Sequence, residues 1–210
     1  MIRVLIADDH AIVRQGLKQI LADIPDMEVF GEAGSGDEAL KFIREEGWDV
    51  MLLDIAMPGK NVLELIKLAK HQSLQLPILI LSMYPEDQYA IRMLRAGADG
   101  YLTKESAPEQ LVAAIRMVAK GGKYISVTMT EKLIAELNPY QEKPPHAALT
   151  DREFQVFRGI CAGKSITDLA QDMALSVKTI STYRTRLMKK MKMSKNVEII
   201  SYAFRNGLLN

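Results

Sequence analysis

The sequence predicts an α/β fold, a doubly wound five-stranded parallel sheet, followed by an all-α helix-turn-helix domain. Three observations predict this division. Five short apolar runs alternate with helix-period segments over about the first 120 residues. After the linker-like stretch Asn138–Pro145, only helical patterns remain. The charge balance also changes, since residues 1–120 hold 13 Lys and Arg against 18 Asp and Glu, whereas residues 149–210 hold 11 against 5.

Length and composition fit a globular protein of two small domains. The chain has 210 residues, of which 48% are apolar and 25% charged. No apolar run approaches the roughly 20 residues of a membrane helix, and the amino terminus lacks a signal-peptide pattern. The single cysteine, Cys161, forms no internal disulfide. We therefore expect a cytoplasmic protein with no membrane partner. Its predicted parts are a first domain over 1–122, a short helix and linker over 123–147, and a second domain over 148–210.

The five predicted strands are short runs of mostly apolar residues. Val50–Leu53 is apolar throughout, as expected of a strand that is covered on both faces of a parallel sheet. It ends at Asp54, which Pro58-Gly59 turn chemistry follows closely. The predicted strands are Ile2–Ala7, Glu28–Ala33, Val50–Leu53, Pro77–Ser82 and Gly100–Thr103.

Segments with apolar residues at helical spacing lie between these strands. Two of them carry a capping-box pattern, in which Ser35 precedes Glu38 and Ser106 precedes Glu109 by three residues. Pro108 then lies in the first turn of its helix, where proline is tolerated. The predicted helices are near Ala11–Ala22, Asp37–Glu46, Val62–Lys70, Glu86–Ala96 and Pro108–Lys120.

The last third of the chain predicts four helices, preceded by a short one near Met129–Leu137. Thr150 and Ser165 each stand three residues before an acidic residue, and Ser176 is a third N-cap candidate. The final helix should end before Asn206-Gly207. The four predicted helices are Asp151–Cys161, Ile166–Met173, a helix within Ser176–Met193, and Asn196–Phe204.

Polar side chains occupy the carboxyl ends of four predicted strands. Asp8 and Asp9 follow the first strand, Asp54 the third and Lys104 the fifth, while Ser82 closes the fourth. Ligands of open α/β sheets bind at this edge. Three carboxylates in one place repel each other unless a cation joins them, and Mg²⁺ prefers such oxygen ligands. An Asp beside the cation can act as a nucleophile, so Asp54 is a candidate phosphate acceptor.

Taken singly, each of these residues also has an ordinary structural explanation, as an N-cap, a turn residue or a solvated lysine. Their coincidence at four strand ends favours a binding site. The motifs "LIADDH", "LLDIAMPG", "ILILS" and "GADGYLTK" resemble, in order and spacing, the receiver domain of two-component response regulators over about residues 1–122.

This resemblance implies a role for each residue of the cluster. Asp54 would accept a phosphoryl group from a sensor histidine kinase. Mg²⁺ would be held by Asp9, Asp54 and the carbonyl of Ala56, with Asp8 acting partly through water. The residues implied to contact the phosphoryl group or to act as a switch pair are Lys104, Ser82 and Tyr101.

The segment Ser176–Met193 predicts an amphipathic helix with a cationic face. Ile180, Leu187 and Met191 share an apolar stripe, and lysines and threonines recur on another face. Cations suit phosphate oxygens, and short hydroxyl side chains let a helix enter the major groove. Taken alone, the pattern fits a solvated helix or a membrane-surface amphipath about as well as it fits a DNA-binding helix.

A short turn joins this helix to the one before it, which is the arrangement of a DNA-binding helix-turn-helix. The stretch "LTDREFQVFRGICAGKSITDLAQDMALSVKTISTYRTRLMKKM" resembles the LuxR-type helix-turn-helix, and the whole chain resembles a NarL/FixJ-type response regulator. The resemblance implies a dimer surface on the final helix, through Val197 and Ile200. Residues implied to face base edges are Ser181, Thr182 and Thr185, and those implied to meet phosphates are Lys178, Thr179, Arg184, Arg186 and Lys189.

We therefore predict a phosphorylation-switched transcription regulator that binds promoter sites in double-stranded DNA, as a homodimer at least there. Phosphate on Asp54 is expected to draw Ser82 toward it and let Tyr101 pack inward. We expect no enzyme activity other than slow self-dephosphorylation, because Ala56 stands where aspartyl phosphatases carry a second Asp. The alternative is a phosphorylation-independent DNA-binding regulator whose receiver serves as a dimerisation scaffold.

The remaining chemistry-bearing residues are predicted to be structural. Cys161 lies on the apolar face of its helix, as a packed thiol would. His10, His71 and His146 are scattered in the sequence and predict neither a metal site nor a catalytic triad.

Overall fold

The protein is described here from a computed structural model in which two compact units are formed by Met1–Ile134 and Ala135–Asn210. None of the described helices combines the length and the apolar character that crossing a membrane requires. The structure describes residues 1–45, 47–71, 76–84, 86–127, 129–131, 144–173 and 175–208.

The first unit is built on a five-stranded sheet with the strand order β2-β1-β3-β4-β5. Every neighbouring pair is parallel, which confirms the predicted sheet. Because β1 lies between β2 and β3, the chain winds outward in both directions from the first strand. The strands are β1 (Ile2–Ala7), β2 (Met27–Ala33), β3 (Val50–Leu53), β4 (Ile78–Ser82) and β5 (Gly100–Thr103).

Five helices cover both faces of this sheet. Successive residues of β3 point to opposite faces, so that Met51 packs with Ile66 on one side and Leu52 packs with Ile115 on the other. The first side belongs to α2, α3 and α4 and the second to α1 and α5. The helices are α1 (Ala11–Ala22), α2 (Gly36–Ile43), α3 (Val62–His71), α4 (Glu86–Ala96) and α5 (Pro108–Ala119).

Several helix ends differ from the sequence prediction by one to three residues, and one predicted cap is wrong. The largest difference is at α2, which ends at Ile43, and the carbonyl of Phe42 accepts hydrogen bonds from the indole N–H of Trp48 at 2.8 Å and from the Glu45 N–H at 3.0 Å. The predicted capping box at Ser106 is wrong. Ala107 is the N-cap of α5 and makes no side-chain cap bond, while the Ser106 hydroxyl pairs with Thr103 Oγ1 at 3.2 Å.

The segment after α5 packs on the edge of β5. Tyr124 forms a parallel bridge with Gly100, and Ser126 Oγ donates to Glu86 Oε2 at 2.6 Å. Residues 127 and 129–131 are helical, and the rest of the helix predicted near Met129–Leu137 lies outside the described residues. The predicted domain limits at 122 and 147 stay predictions.

In the second unit, the four predicted helices are present after a 3₁₀ turn at Pro145–Ala148. Thr150 and Ser165 form the predicted capping boxes with Glu153 and Asp168, and Ser176 accepts a hydrogen bond from the N–H of Thr179. These caps satisfy helix N–H groups that have no partner within the helix. The helices are α6 (Asp151–Cys161), α7 (Ile166–Asp172), α8 (Val177–Met191) and α9 (Asn196–Arg205).

The core of this unit holds α8 in place. Phe154 and Phe157 of α6 stack with ring centroids 5.7 Å apart, and both are buried, as is Ile180 of α8. Lys190 Nζ, on α8, contacts the buried Glu153 Oε2 at 2.6 Å, so an ion pair also joins α8 to α6. The outer face of α8 is thereby fixed in position.

Candidate functional site

The sheet brings four of the predicted site residues to one edge. Ala7 pairs with Leu53, so the residues that follow, Asp8 and Asp54, stand next to each other. The Asp54 N–H donates to the Ala7 carbonyl at 2.8 Å. On the other side, the Lys104 N–H donates to the Ser82 carbonyl, also at 2.8 Å. The predicted meeting of these side chains therefore follows from strand order and register.

Lys104 bridges the two buried carboxylates of this edge. Its Nζ lies 2.6 Å from Asp8 Oδ2 and 3.1 Å from Asp54 Oδ2. Asp8 and Asp54 are only 2% and 3% exposed. Although it lies close to Lys104, Asp54 Oδ2 receives no hydrogen bond from the described residues. The Lys104 ammonium at 3.1 Å is shared with Asp8 and satisfies this buried oxygen only in part, which makes the site suited to a further ligand.

The electrostatics of the edge are only partly balanced. Burial raises the pKa of Asp54 above its usual value, and the charge of Lys104 offsets this only in part. Burial alone would lower the pKa of Lys104, but the hydrogen bond to Asp8 and the charge of Asp54 outweigh it and raise the pKa. The cation is thus firmly protonated, and one positive charge serves two carboxylates.

The acidic residues can hold a metal ion. Ligand atoms of Asp8, Asp9, His10 and Asp54 all lie within 4.8 Å of one another. Carboxylate oxygens suit a hard divalent cation. The sequence predicted no metal site from His10, and the structure places its Nδ1 2.9 Å from Asp9 Oδ1, beside this cluster.

The loop after Asp54 is held by backbone contacts that the sequence analysis missed. The backbone of exposed Ala56 forms a hydrogen bond with the Asp54 carboxylate. The Pro58 carbonyl accepts a hydrogen bond from Gly36 N–H at 2.9 Å, and a Cβ on Gly36 would overlap the carbonyl oxygen of Lys60. Gly36 thus permits the close approach of this loop to α2. Its only sequence signal was the pair of glycines around Ser35.

Ser82 and Tyr101, the predicted switch pair, lie close to each other. Ser82 is fully buried, and its Oγ accepts the Tyr84 N–H at 3.0 Å. The Tyr101 ring is already packed inward at 2% exposure, and its hydroxyl donates to the Tyr84 carbonyl at 2.8 Å. Burial raises the pKa of Tyr101, and a hydrogen bond with Ser82 opposes this rise. Tyr101 thus occupies the inward position of the predicted switch.

The α8 helix presents the predicted basic face. Its apolar stripe, Ile180, Leu187 and Met191, is buried as predicted, together with Met188. Among the residues implied to contact DNA, six are exposed: Lys178, Ser181, Thr182, Thr185, Arg186 and Lys189. The other two, Thr179 and Arg184, are half-buried.

Comparison with known proteins identifies both units. Residues 4–116 match the response regulator receiver domain, and residues 147–203 match the bacterial regulatory proteins of the luxR family. The chain belongs to the response regulator family. It combines a receiver domain with a LuxR-type helix-turn-helix domain.

Relatives of this response regulator match it over almost their whole length. It is 36% identical to the response regulator UvrY of Escherichia coli strain K12, over 100% of this chain and 97% of UvrY. Its structure is similar to that of RcsB from Salmonella enterica serovar Typhimurium bound to the promoter rprA in the presence of the phosphomimetic BeF3-. The TM-score is 0.68 and the sequence identity 27%, over 96% of this chain and 98% of the RcsB chain. A structure of two RcsB dimers bound to two parallel DNAs has a TM-score of 0.58, 26% identity, and coverage of 97% and 98%.

Some polar groups of the response regulator's α8 are already engaged within the domain. Arg184 Nε and Nη2 donate to Asn196 Oδ1 at 3.0 and 2.8 Å, which ties α8 to the start of α9. The Thr182 and Thr185 hydroxyls donate to carbonyls one turn earlier, as threonine does within helices. Their oxygens keep lone pairs that can accept a hydrogen bond.

The final helix of the response regulator exposes an apolar stripe. Val197 is 68% exposed, Ile200 37% and Phe204 77%, at positions i, i+3 and i+7 of α9. Helical spacing from Val197 was the available signal for Phe204, which the sequence analysis did not include. An exposed stripe of this kind is typical of a surface that another protein covers.

Proposed function

We propose that Asp54 accepts a phosphoryl group from a sensor histidine kinase, and that this reaction controls promoter binding by the second domain. The buried Asp54 carboxylate, which shares the Lys104 ammonium with Asp8 and lies beside the acidic cluster, carries this proposal. An Asp54 oxygen would form the new bond to phosphorus as the bond between phosphorus and the kinase histidine nitrogen breaks. The product is an aspartyl-phosphate and a neutral histidine.

The neighbouring side chains are suited to balance the added negative charge. We assign Asp9, Asp54 and the carbonyl of Ala56 to Mg²⁺, with Asp8 acting partly through water. When bound, Mg²⁺ would neutralise charge on the phosphoryl oxygens. Lys104 would turn from Asp54 Oδ2 to a phosphoryl oxygen, a movement that its 3.1 Å separation makes short.

The switch would act through Ser82 and Tyr101. A phosphoryl oxygen can accept a hydrogen bond from the Ser82 hydroxyl, which is next to the Tyr101 phenol. Phosphorylation would stabilise the inward position of Tyr101. We infer no enzyme activity beyond slow self-dephosphorylation, because Ala56 offers no acid or base near Asp54.

Labelling of the full chain with acetyl phosphate and Mg²⁺ tests the acceptor. We expect wild type to gain one phosphoryl group and Asp54→Asn to gain none, as measured by intact-protein mass. The exposed Asp23, changed to Asn, provides a matched control that should label like wild type. Labelling of Asp54→Asn at the wild-type level would overturn the assignment.

The alternative is a regulator that needs no phosphorylation. In that case, Asp54→Asn and wild type treated with the phosphodonor would bind the same promoter DNA with equal affinity. Our proposal expects tighter binding by labelled wild type only.

The exposed face of α8 is proposed to contact double-stranded DNA in the cytoplasm. The net positive charge of residues 149–210 and the similarity to DNA-bound RcsB support this. Lys178→Ala and Lys189→Ala should each weaken binding and reduce the salt slope by about 1, as for a lost phosphate contact. Lys164→Ala is the control, because Lys164 instead pairs with Asp172 at 2.6 Å.

We further propose that α9 joins two copies through Val197 and Ile200, with Phe204 extending the surface. The exposed stripe and the RcsB dimers on DNA support this. Val197→Asp should leave the fold intact, since the residue is 68% exposed, but should abolish the two-copy complex on DNA. Analytical ultracentrifugation with a labelled promoter fragment measures this, and a persisting two-copy complex contradicts it.

A further inference from the structure

We infer that His10 supplies a nitrogen ligand to the acidic cluster and thereby shifts its preference toward divalent first-row transition metals over Mg²⁺. This rests on the metal site of the proposed function and adds a residue to it. Ions of the Co²⁺, Ni²⁺ and Zn²⁺ class bind imidazole well, whereas Mg²⁺ favours oxygen and water.

The position of His10 fits a ligand. Its Nδ1 lies 2.9 Å from Asp9 Oδ1 and 3.3 Å from Asp8 Oδ1. Two ligand atoms that are each about 2.0–2.2 Å from one metal ion stand about 3 Å apart at a right angle. Small movements would therefore let the imidazole and the Asp9 carboxylate share one ion.

The loop that carries His10 is held in place by its backbone. The His10 N–H donates to Asp8 Oδ1 at 2.9 Å, and Arg14 Nη1 donates to the Asp8 carbonyl at 2.7 Å. These contacts direct residues 8–10 around the cluster. The imidazole itself is not part of the core, because the His10 side chain is 60% exposed.

Lys104 leaves room for such an ion. It contacts the Oδ2 atoms of Asp8 and Asp54, whereas the contacts of His10 are to the Oδ1 atoms of Asp8 and Asp9. Lys104 and His10 therefore contact different oxygens of Asp8. A metal ion on the His10 side would add a second positive charge to carboxylates that share one lysine.

His10 also occupies a position where removing the side chain is safe for the fold. It is the N-cap residue of α1, yet its side chain makes no capping hydrogen bond. His10→Ala should thus fold like wild type. A matched control is His146→Ala, which removes an imidazole from the second unit, where His146 pairs with the Tyr202 hydroxyl at 2.7 Å.

Calorimetric titration of the full chain with Mg²⁺ and, separately, with Co²⁺ tests the inference. We expect His10→Ala to lose about tenfold or more in Co²⁺ affinity, a typical cost of disturbing a ligand shell. Its Mg²⁺ affinity should stay within about twofold of wild type. His146→Ala should match wild type for both ions.

Proton NMR of the Co²⁺ form gives a direct readout of ligation. An imidazole bound through Nδ1 keeps its Nε2 proton, which should appear in wild type as an exchangeable signal far outside the normal spectral range. It should vanish in His10→Ala and persist in His146→Ala. Absence of the signal in wild type, or an equal loss of Mg²⁺ and Co²⁺ affinity in His10→Ala, would overturn the inference.

These outcomes are separate from those of the phosphorylation test. If acetyl phosphate labels Asp54 with Mg²⁺ but Co²⁺ gives no imidazole signal, the proposed function stands and the role of His10 fails. If the imidazole signal appears but Asp54 is not labelled, His10 is a ligand and the proposed function fails.

Discussion

Asp54 and Asp99 lie at opposite edges of the same sheet, each beside lysine, and their surroundings differ. Asp99 has a partner for both oxygens: Lys123 Nζ lies 2.6 Å from Oδ1, and Lys70 Nζ and the Ile78 N–H lie 2.6 and 2.8 Å from Oδ2. Asp54 shares one lysine with Asp8, and its Oδ2 has no hydrogen bond from the described residues.

The pKa values of the Asp54 and Asp99 carboxyls are shifted in opposite directions. Burial raises the pKa of both, but at Asp99 the hydrogen bonds from Lys123 and Lys70 outweigh it, and the pKa is lowered. At Asp54 burial outweighs Lys104, and the pKa is raised. The charge of Asp99 is therefore balanced within the fold, and we call this residue a structural anchor. The charge of Asp54 is only partly balanced, and a bound metal ion can supply the missing positive charge.

The largest loss of stability is expected at Gly36, where backbone packing rather than charge positions the loop after Asp54. Gly36→Ala would push a Cβ into the backbone of Lys60, and we expect a loss of about 2–3 kcal/mol, as for overpacking. Phosphodonor labelling should slow as well, because the loop that follows Asp54 must shift.

Gly16→Ala is the matched control for this substitution. A Cβ at Gly16 meets nothing within 4 Å, and the residue lies inside α1, so alanine should stabilise by about 0.5–1 kcal/mol. Urea unfolding measures both variants. An unchanged stability in Gly36→Ala would show that the loop accommodates the methyl group.

The second effect tests Asp99 as an anchor. Asp99→Asn keeps an acceptor for the Ile78 N–H but loses the charge that faces Lys70 and Lys123, at a cost of about 1–2 kcal/mol. The Lys123 ion pair contributes little to this loss of stability, because the Lys123 side chain is 53% exposed. Urea unfolding at neutral pH measures the loss, while labelling of Asp54 should be unaffected. Wild-type stability in this variant would contradict the anchor.

At Asp54, we expect a substitution to raise the stability of the fold rather than lower it. Asp54→Asn removes a buried charge that the fold does not fully compensate, so stability without metal should rise by about 1 kcal/mol. Because the folded pKa is raised, the ionised carboxylate destabilises only above its unfolded pKa. The gain should therefore be present at pH 7, shrink as the pH falls through the raised folded pKa, and be absent below the unfolded pKa of about 4.

Urea unfolding in EDTA at both pH values measures the change at Asp54. Together with Asp99→Asn, it compares the same chemical substitution at the two edges. Equal losses in the two variants would break the contrast drawn between them.

Much of this architecture could be predicted, because the determining signals are local. β1, β3 and β5 have the predicted bounds, since apolar runs and the polar residue after each run define them. Strand ends then bring Asp54 and Lys104 together through sheet topology alone. The capping boxes at Thr150 and Ser165 are equally local.

The features that escaped prediction depend on contacts distant in sequence or on loop conformation. Ser106 pairs with Thr103 instead of capping α5, and Gly36 matters only because a loop more than 20 residues away approaches it. His10 joins the acidic cluster through the shape of the turn after β1. No periodicity encodes any of these three.

The smallest effect concerns Cys161, which shows that a raised pKa alone does not mark a site. Burial raises the pKa of its thiol to about 11, and Arg158 opposes this only weakly. The thiolate is the reactive form, so about one thiol in a thousand is reactive at pH 8. We expect iodoacetamide to label the folded protein slowly, with a rate that rises about tenfold per pH unit toward pH 11.

A urea-unfolded sample serves as the control and should label near the ordinary thiol pKa of about 8.5. Rapid labelling of the folded protein at pH 8 would contradict the burial of Cys161. Like the Asp54 carboxyl, this thiol has a pKa raised by burial, but it has no neighbouring cluster of charged ligands among the described residues. What distinguishes Asp54 is therefore the combination of a raised pKa with an adjacent acidic cluster and a lysine that it shares with Asp8.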